Sequence, residues 1–327
     1  MIIKQPSPGI KLLQTAALYR RTAKYFPQWP VIEDDFGRLK AGYKGEVSLL
    51  YELNMLPKNS HTSLFDIRLT NNQNYFFQTD VCFITKSFAL IMEVKNISGK
   101  VYFDLYDQMI RYKKDGTEEC FPDPINQVMI QESHFRKWLE QMKWTLPVES
   151  IVVFTNPQTI ITFSDTYNPS LRLKVIRKRI LPLKIQDLSK KYKSELLTDK
   201  ELKKLTYQLL KFHTEPSPNA LEHYKLKSTD ILSGVQCPIC LHLPMRRTFG
   251  KWFCEHCCCF NATAHKAAFQ DYGLLIDAHI TNRQAKELLH LESASITKRL
   301  LKEMQYPIEG KGNSIKYKIK QQSDFSI

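Results

Sequence analysis

The chain lacks any run of about 18 consecutive apolar residues, the shortest stretch that reads as a membrane-spanning helix. Its N-terminus, Met-Ile-Ile-Lys-Gln-Pro-Ser-Pro-Gly-Ile, lacks the continuous apolar core of a secretory signal. Acidic residues are too few to balance the basic ones: 33 Asp and Glu stand against 47 Lys and Arg, a net charge of +14. That excess calls for a polyanionic partner, nucleic acid before an anionic membrane surface. Cysteine is scarce outside one stretch: six of the eight fall between 237 and 259, and Cys82 and Cys120 stand alone. A disulfide framework spread over a secreted fold is thereby excluded, and a clustered metal site in a reducing cytoplasm is expected. A chain of 327 residues is expected to hold two or three domains.

What is present centres on residues 75–96. The stretch reads as a β-hairpin, with one strand from Phe77 to Thr85, a tight connection at Lys86-Ser87, and a return strand from Ala89 to Lys95. Both arms are rich in β-branched and aromatic residues. Asp80, Glu93 and Lys95 interrupt this apolar ribbon. Side chains alternate along a strand, so Glu93 and Lys95 point the same way, about 7 Å apart, and the hairpin brings Asp80 near the same edge. Two carboxylates and an ammonium inside an apolar sheet are costly unless they hold something, and a hard divalent cation suits them. In the alternative, Asp80 caps a strand end and Glu93 and Lys95 form a solvated pair on a polar face. Leu90-Ile91-Met92 precede Glu93 without alternation, which favours a strand buried on both sides.

The flanking segments read as layers of helix and strand. Residues 1–40 are expected to form an arm, with a basic helix from Leu12 to Tyr25 broken by Pro27 and Pro30. Residues 41–56 read as an amphipathic helix in which Glu46 shares the face of Leu49, Leu50 and Leu53. Glu46 is then either an inward ligand or orienter, or a first-turn acid complementing the helix dipole. A short strand, Leu64–Leu69, and a polar turn, Thr70–Asn74, lead into the hairpin. Beyond it come a strand after Gly99, a polar excursion over 104–122, and a helix opened by Asp123-Pro124 with an apolar stripe at Ile125, Val128, Phe135, Leu139 and Met142. Gln127, in that helix's first turn, either reaches the hairpin site or is a surface amide. Strands are expected at 151–154, 160–163 and 171–176, giving an α/β architecture through about residue 182. Residues 183–235 read as a helical connector with a hinge in 214–219.

Cys237-Pro-Ile-Cys240 and Cys254-Glu-His-Cys257, thirteen residues apart, can bring four thiolates into the tetrahedron that Zn²⁺ prefers. Gly250-Lys-Trp-Phe has strand character, so 236–262 reads as a small zinc ribbon, a closed site that stabilises rather than catalyses. Cys258, Cys259, His242 and His256 leave the ligand register open, and a redox role for the pairs lacks the surrounding βαβ pattern. In 263–327, two short helices about a turn carry apolar stripes at Ala285, Leu288 and Leu289 and at Ile296, Leu300, Leu301 and Met304. Ser293, Ser295, Thr297, Lys298 and Lys302 fall largely off the second stripe and suit contacts to phosphate and base edges, as in a helix-turn-helix. Residues 311–320 read as a basic hairpin arm or wing. The alternative is a plain helical hairpin docked on the ribbon.

Taken in order, Gly45-Glu46, Phe77-Gln-Thr-Asp80, Met92-Glu-Val-Lys-Asn96 and Pro124-Ile-Asn-Gln127 resemble the NERD, or nuclease-related, domain family. The resemblance covers 41 to 154 and implies a restriction-endonuclease-like, PD-(D/E)xK fold: a mixed sheet flanked by helices. It implies Mg²⁺ or Mn²⁺ held by Asp80 and Glu93, Lys95 orienting or activating the attacking water, and Glu46 and Gln127 completing the site. The expected activity is hydrolysis of phosphodiester bonds, in DNA before RNA. A non-catalytic DNA-binding role on a nuclease-like scaffold is the alternative.

Overall fold

The structure, a computed structural model, describes residues 1–57, 60–70, 75–113 and 115–320. The turn expected over Thr70–Asn74 lies, beyond Thr70, outside the described residues. The chain divides into two compact units, Met1–Ser7 with Lys40–Pro216 and Pro8–Leu39 with Ser217–Ile327. The division falls inside the 214–219 stretch, whose prolines disfavour regular structure. The 1–40 segment is thus shared between the units rather than forming one arm.

The first unit is built on a six-stranded mixed sheet. Its order is Ile2–Lys4, Thr62–Thr70, Phe76–Ile84, Ala89–Lys95, Val148–Phe154, Val175–Arg177. The second, third and fourth strands pair antiparallel with one another, while the N-terminal strand joins the second, the fifth the fourth and the sixth the fifth, all in parallel. Parallel neighbours need a crossover, and the helix Pro124–Gln141 supplies it between Ala89–Lys95 and Val148–Phe154. Ala89 through Val94 are all buried. Ile91 packs with Val152, Ile125 and Phe135 on one side, and Leu90, Met92 and Val94 with Leu181 and Ile185 on the other. This two-sided burial is why the run shows no alternation.

A second, four-stranded sheet has the order Glu118–Pro122, Gln108–Tyr112, Gly99–Phe103, Thr159–Phe163. The stretch 104–122, expected as an excursion, therefore carries two paired strands. Much of their side-chain surface faces solvent, with Met109 the buried anchor, so the apolar signal is thin. The 41–56 helix is the end of a longer one, Trp29–Ser48, resumed after Leu49 as Leu50–Asn54. Pro30 stands at its second position, where a missing N–H costs nothing, so this proline begins a helix.

In the second unit a sheet of Arg246–Thr248, Lys251–Phe253 and Phe260–Asn261 precedes the helix His265–Leu275. Strand His279–Thr281, helices Asn282–Leu288 and Ala294–Glu303, and strands Ile308–Glu309 and Lys316–Lys318 follow, with Lys316–Lys318 central in their own sheet. Cys237, Trp252 and Cys254 share one core with Phe269, Ile280, Leu300 and Tyr317. The 236–262 and 263–327 segments are therefore one packed body. Among the described residues, no helix is long and apolar enough to cross a membrane.

Candidate active site and metal centre

The central hairpin opens at its functional end. Its ladder runs from Ile84 opposite Ala89 to Val81 opposite Met92 and stops there. One residue further on, Asp80 Oδ2 accepts the backbone N–H of Val94 at 2.7 Å, a carboxylate standing in for a ladder partner. The inward-facing register slips at the same level. Leu64 and Ile67 belong to one core face although they are three apart, and between them Asp66 has φ +52°. On the adjoining strand Phe77 and Cys82, five apart, also belong to that one core. An apolar hairpin thus turns a polar edge towards one point, where Gln78 Nε2 hydrogen-bonds Asp66 Oδ1 and Lys4 Nζ donates to the Asp66 carbonyl at 2.9 Å.

Glu93 and Lys95 share a face, as strand geometry requires, and Lys95 Nζ lies 2.7 Å from Glu93 Oε1. That face looks onto the Pro124–Gln141 helix. Asp123 caps this helix by accepting from Ile125 N at 2.7 Å, with Pro124 at its first position. The cap fixes the first turn so that Gln127 Oε1 accepts from Lys95 Nζ at 3.2 Å. One turn on, Gln131 Nε2 donates to Glu93 Oε2 at 3.0 Å. Glu93 is only 3 % exposed, and a carboxylate buried that far is tolerable only with both oxygens partnered. Gln131 was not among the expected site residues. Its signal was its spacing of four from Gln127, inside a stripe that is otherwise apolar.

Glu46 arrives through close backbone approach. A Cβ on Gly45 would stand 2.8 Å from Asn96 Cβ and 3.1 Å from Thr155 Oγ1, so only glycine lets the helix come this near the strand end. Asn96 Nδ2 ties the two together by donating to the Ala41 carbonyl at 2.8 Å. The half-buried Glu46 carboxyl is pushed up to about 8, first by burial and then by repulsion from Asp66 and Glu93, with Lys4 opposing. Asp80 is raised well above the usual carboxylate range by burial and by the charges of Glu93 and Glu46, against the Val94 N–H and Lys95. With Glu46, Asp66, Asp80 and Glu93 all ionised, the cluster would carry more negative charge than Lys4 and Lys95 balance; this repulsion helps raise the proton affinities of Glu46 and Asp80, and a cation would relieve it. Oxygen donors alone suit a hard ion such as Mg²⁺ or Mn²⁺.

The thiol cluster is of another kind. Among the described residues, Cys237, Cys240, Cys254 and Cys257 are the one group of three or more Cys, His, Asp or Glu side chains whose ligand atoms all lie within 4.8 Å of one another. Glu46, Asp80 and Glu93 do not close to that distance as a trio. Cys237 Sγ is 3.6 Å from Cys257 Sγ, and Cys240 Sγ is 3.5 Å from Cys254 Sγ. Thiolates about 2.3 Å from a tetrahedral Zn²⁺ stand about 3.8 Å apart, so this soft four-sulfur set fits the ion. His242 and His256 stack on each other with centroids 5.5 Å apart and stay out of the group. Cys258 is exposed, and Cys259 stands outside the group, although its Sγ lies 3.4 Å from Cys237.

On the helix Ala294–Glu303, Ser295, Lys298 and Lys302 are exposed. Thr297 is corrected: it is 0 % exposed, its hydroxyl bonds the Ser293 carbonyl at 3.0 Å, and it cannot contact a nucleic acid. With its hydroxyl satisfied four residues back, a threonine passes for a core residue. The buried stripe runs through Thr297, Leu300 and Leu301.

A family model for the nuclease-related domain, NERD, matches residues 41–155. The match spans Glu46, Asp80, Glu93, Lys95, Gln127 and Gln131, and points to a nuclease-related function for that segment. No curated protein and no solved structure matches the chain.

Proposed function

We propose that the chain is a metal-dependent nuclease that hydrolyses phosphodiester bonds, with DNA as the substrate. The observation that carries this reading is the Glu93–Lys95 pair, its carboxylate buried, facing Gln127 and Gln131, beside Asp80 on a hairpin that parts at that level. Asp80 and Glu93 would hold Mg²⁺ or Mn²⁺, which when bound supplies positive charge against a phosphate oxygen. Lys95 stabilises negative charge on the attacking water and on the phosphoryl oxygens. Gln127 keeps the ammonium aimed, and Gln131 holds the Glu93 carboxylate in its rotamer. Glu46, with its proton affinity near neutrality, holds or accepts a proton at its carboxyl oxygen. The C-terminal unit would supply the grip. Its helix, strand, helix pair and hairpin follow the order of a winged helix, with Ser295, Lys298 and Lys302 on the outer face and Lys311 in the connection between the last two strands. On this reading 41–182 is the nuclease domain and 236–262 a zinc ribbon with structural Zn²⁺. A reducing cytoplasm suits its free thiols.

The test is cleavage of plasmid and linear DNA by purified protein across a metal panel, beside Glu93→Ala and Lys95→Ala. Metal-dependent cutting that drops at least about 100-fold in both variants is expected. Equal cutting by all three proteins overturns the reading. A second reading, a nucleic-acid-binding protein without chemistry, is favoured by one observation: the three carboxylates do not close as the thiols do. Tight, salt-sensitive binding with no cleavage on any metal would select it.

A further inference from the structure

The outer face of the 246–261 sheet is an aromatic and basic surface that neither the catalytic cluster nor the helix pair uses. In its register Arg246 stands opposite Phe253 and Phe253 opposite Phe260, with Thr248 opposite Lys251. Residues directly opposite share a face, as do residues two apart, so Arg246, Thr248, Lys251, Phe253 and Phe260 lie on one side. The other side carries Trp252, which is buried and bonds His265 Nδ1 through its indole N–H at 3.1 Å. The Phe253 and Phe260 rings sit 4.8 Å apart, and Phe260 is 55 % exposed.

At the hairpin tip, Phe249 is 100 % exposed. Phe249 and Gly250 both have positive φ, +46° and +78°, as a two-residue turn of this twist requires. Asparagine, aspartate or glycine is the favoured first residue of such a turn, and a bulky side chain there is strained. Folding gains nothing from a phenylalanine at this place, since it neither suits the turn nor buries its ring. Arg246 and Lys251 flank it, and Glu255, 3.5 Å from Arg246, is the acid paired with that edge.

We propose that this face binds single-stranded nucleic acid, the bases stacking on Phe249 and the Phe253–Phe260 pair while Arg246 and Lys251 follow the phosphates. Aromatic faces spaced among cations serve unpaired strands, because a duplex keeps its base faces stacked inside. The inference rests on the nucleic-acid reading above for its choice of polymer and is independent of catalysis.

The experiment uses the full chain without added divalent cation, so cleavage plays no part. Binding of a fluorescent deoxythymidine 15-mer and of a duplex of equal length is measured for wild type, Phe249→Ala, Phe249→Trp and Lys251→Ala. Phe249→Ala is expected to weaken single-strand binding about 5- to 100-fold, the range of one lost base stack, and duplex binding less than about twofold. Its dependence on salt should stay as in wild type, whereas Lys251→Ala should flatten the salt slope by about 0.7. Phe249→Trp should retain affinity and show tryptophan quenching when the 15-mer binds. Unchanged single-strand affinity in Phe249→Ala, equal losses on duplex, or an unquenched tryptophan overturns the proposal. A stripped zinc or altered circular dichroism would mark a folding defect in the alanine variant, and the tryptophan quenching then decides. Plasmid cleavage, assayed separately, tests the nuclease reading whichever way this result falls.

Discussion

The cysteine cluster and the acidic cluster differ in how they are assembled. The four thiols come from two turns within Cys237–Cys257 and close to within 4.8 Å of one another, near enough to share one Zn²⁺. The carboxylates come from a helix and two strands of the other unit, stay wider apart, and already hold one another's charge through Lys95, two glutamines and a backbone N–H. A four-sulfur set with no open position is expected to serve stability. The wider set of oxygen donors, held by hydrogen bonds from neighbouring side chains, is the one that the proposed nuclease reading would use for its ion. Each experiment below either separates the two clusters or makes them behave alike.

The largest effect is expected from the thiols. Structural Zn²⁺ contributes about 10–16 kcal/mol of apparent binding free energy to small zinc modules, and much of it is folding free energy. Chelation, or Cys254→Ser, should therefore remove the metal and unfold the C-terminal unit, seen as loss of zinc by atomic absorption and of one calorimetric transition. The transition of the 40–216 unit should remain. If chelation leaves both transitions in place, the four-sulfur cluster is not a structural site.

Lys95→Ala should be next. Removing one partner of a buried ion pair leaves the other uncompensated and costs about 3–5 kcal/mol. Glu93 is the more deeply buried partner, so the loss should be felt in thermal stability as well as in cleavage. Added Mg²⁺ or Mn²⁺ should return part of that stability, because a cation can take the ammonium's place beside the carboxylate. No recovery with any divalent ion would mean that the acidic cluster does not hold one, and the contrast with the thiols would then be complete.

These contrasts also explain what could be read in advance. The hairpin and the two knuckles were legible because each is local: alternating or unbroken apolar runs, and fixed cysteine spacing, carry their own geometry. Glu46 was legible through helical spacing, but the reason it reaches the site, the contact of Gly45 with Asn96, joins segments 51 residues apart and leaves no pattern in either. The strand Ile2–Lys4 is too short for periodicity and is defined by its parallel partner. Thr297 and Gln131 are hidden from the sequence for a common reason: the threonine satisfies its hydroxyl along its own helix, and the glutamine is spent on a buried carboxylate. A polar residue on an apolar stripe reports a partner, and sequence alone does not name it.

The pH response should separate the units by sign. Glu46 has its proton affinity raised from 4.5 to about 8 by burial and neighbouring acids. The folded form then binds more protons than the unfolded one, so this contribution is fully present below 4.5 and is lost as pH rises through about 8. His265 is lowered from 6.5 to about 4 by burial, with Arg247 and Lys266 adding to it. Its contribution is present above 6.5 and is lost as pH falls through about 4. Thermal denaturation of the metal-free active site, zinc retained, should therefore show the first unit weakening on the alkaline side and the second on the acidic side. Glu46→Gln should flatten the first slope, and His265→Gln the second if the variant folds. Slopes of the same sign in both units would contradict these assignments.

The smallest effect expected is that of Gln131→Leu. Its amide gives one hydrogen bond to a charged acceptor, worth about 1.5–3 kcal/mol, and leucine fills similar volume beside Val128 and Phe135. Lost orientation of Glu93 should appear as a turnover rate about tenfold lower with KM nearly unchanged, and as a higher metal concentration for half-maximal cleavage. Gln131→Glu should be worse than leucine, because a second buried carboxylate 3.0 Å from Glu93 would demand a proton or a cation of its own. If leucine and glutamate at 131 both cleave as wild type does, the helix only covers the site, and orientation of Glu93 falls to Lys95 alone. The acidic cluster would then be simpler than the thiol cluster, reversing the contrast drawn between them.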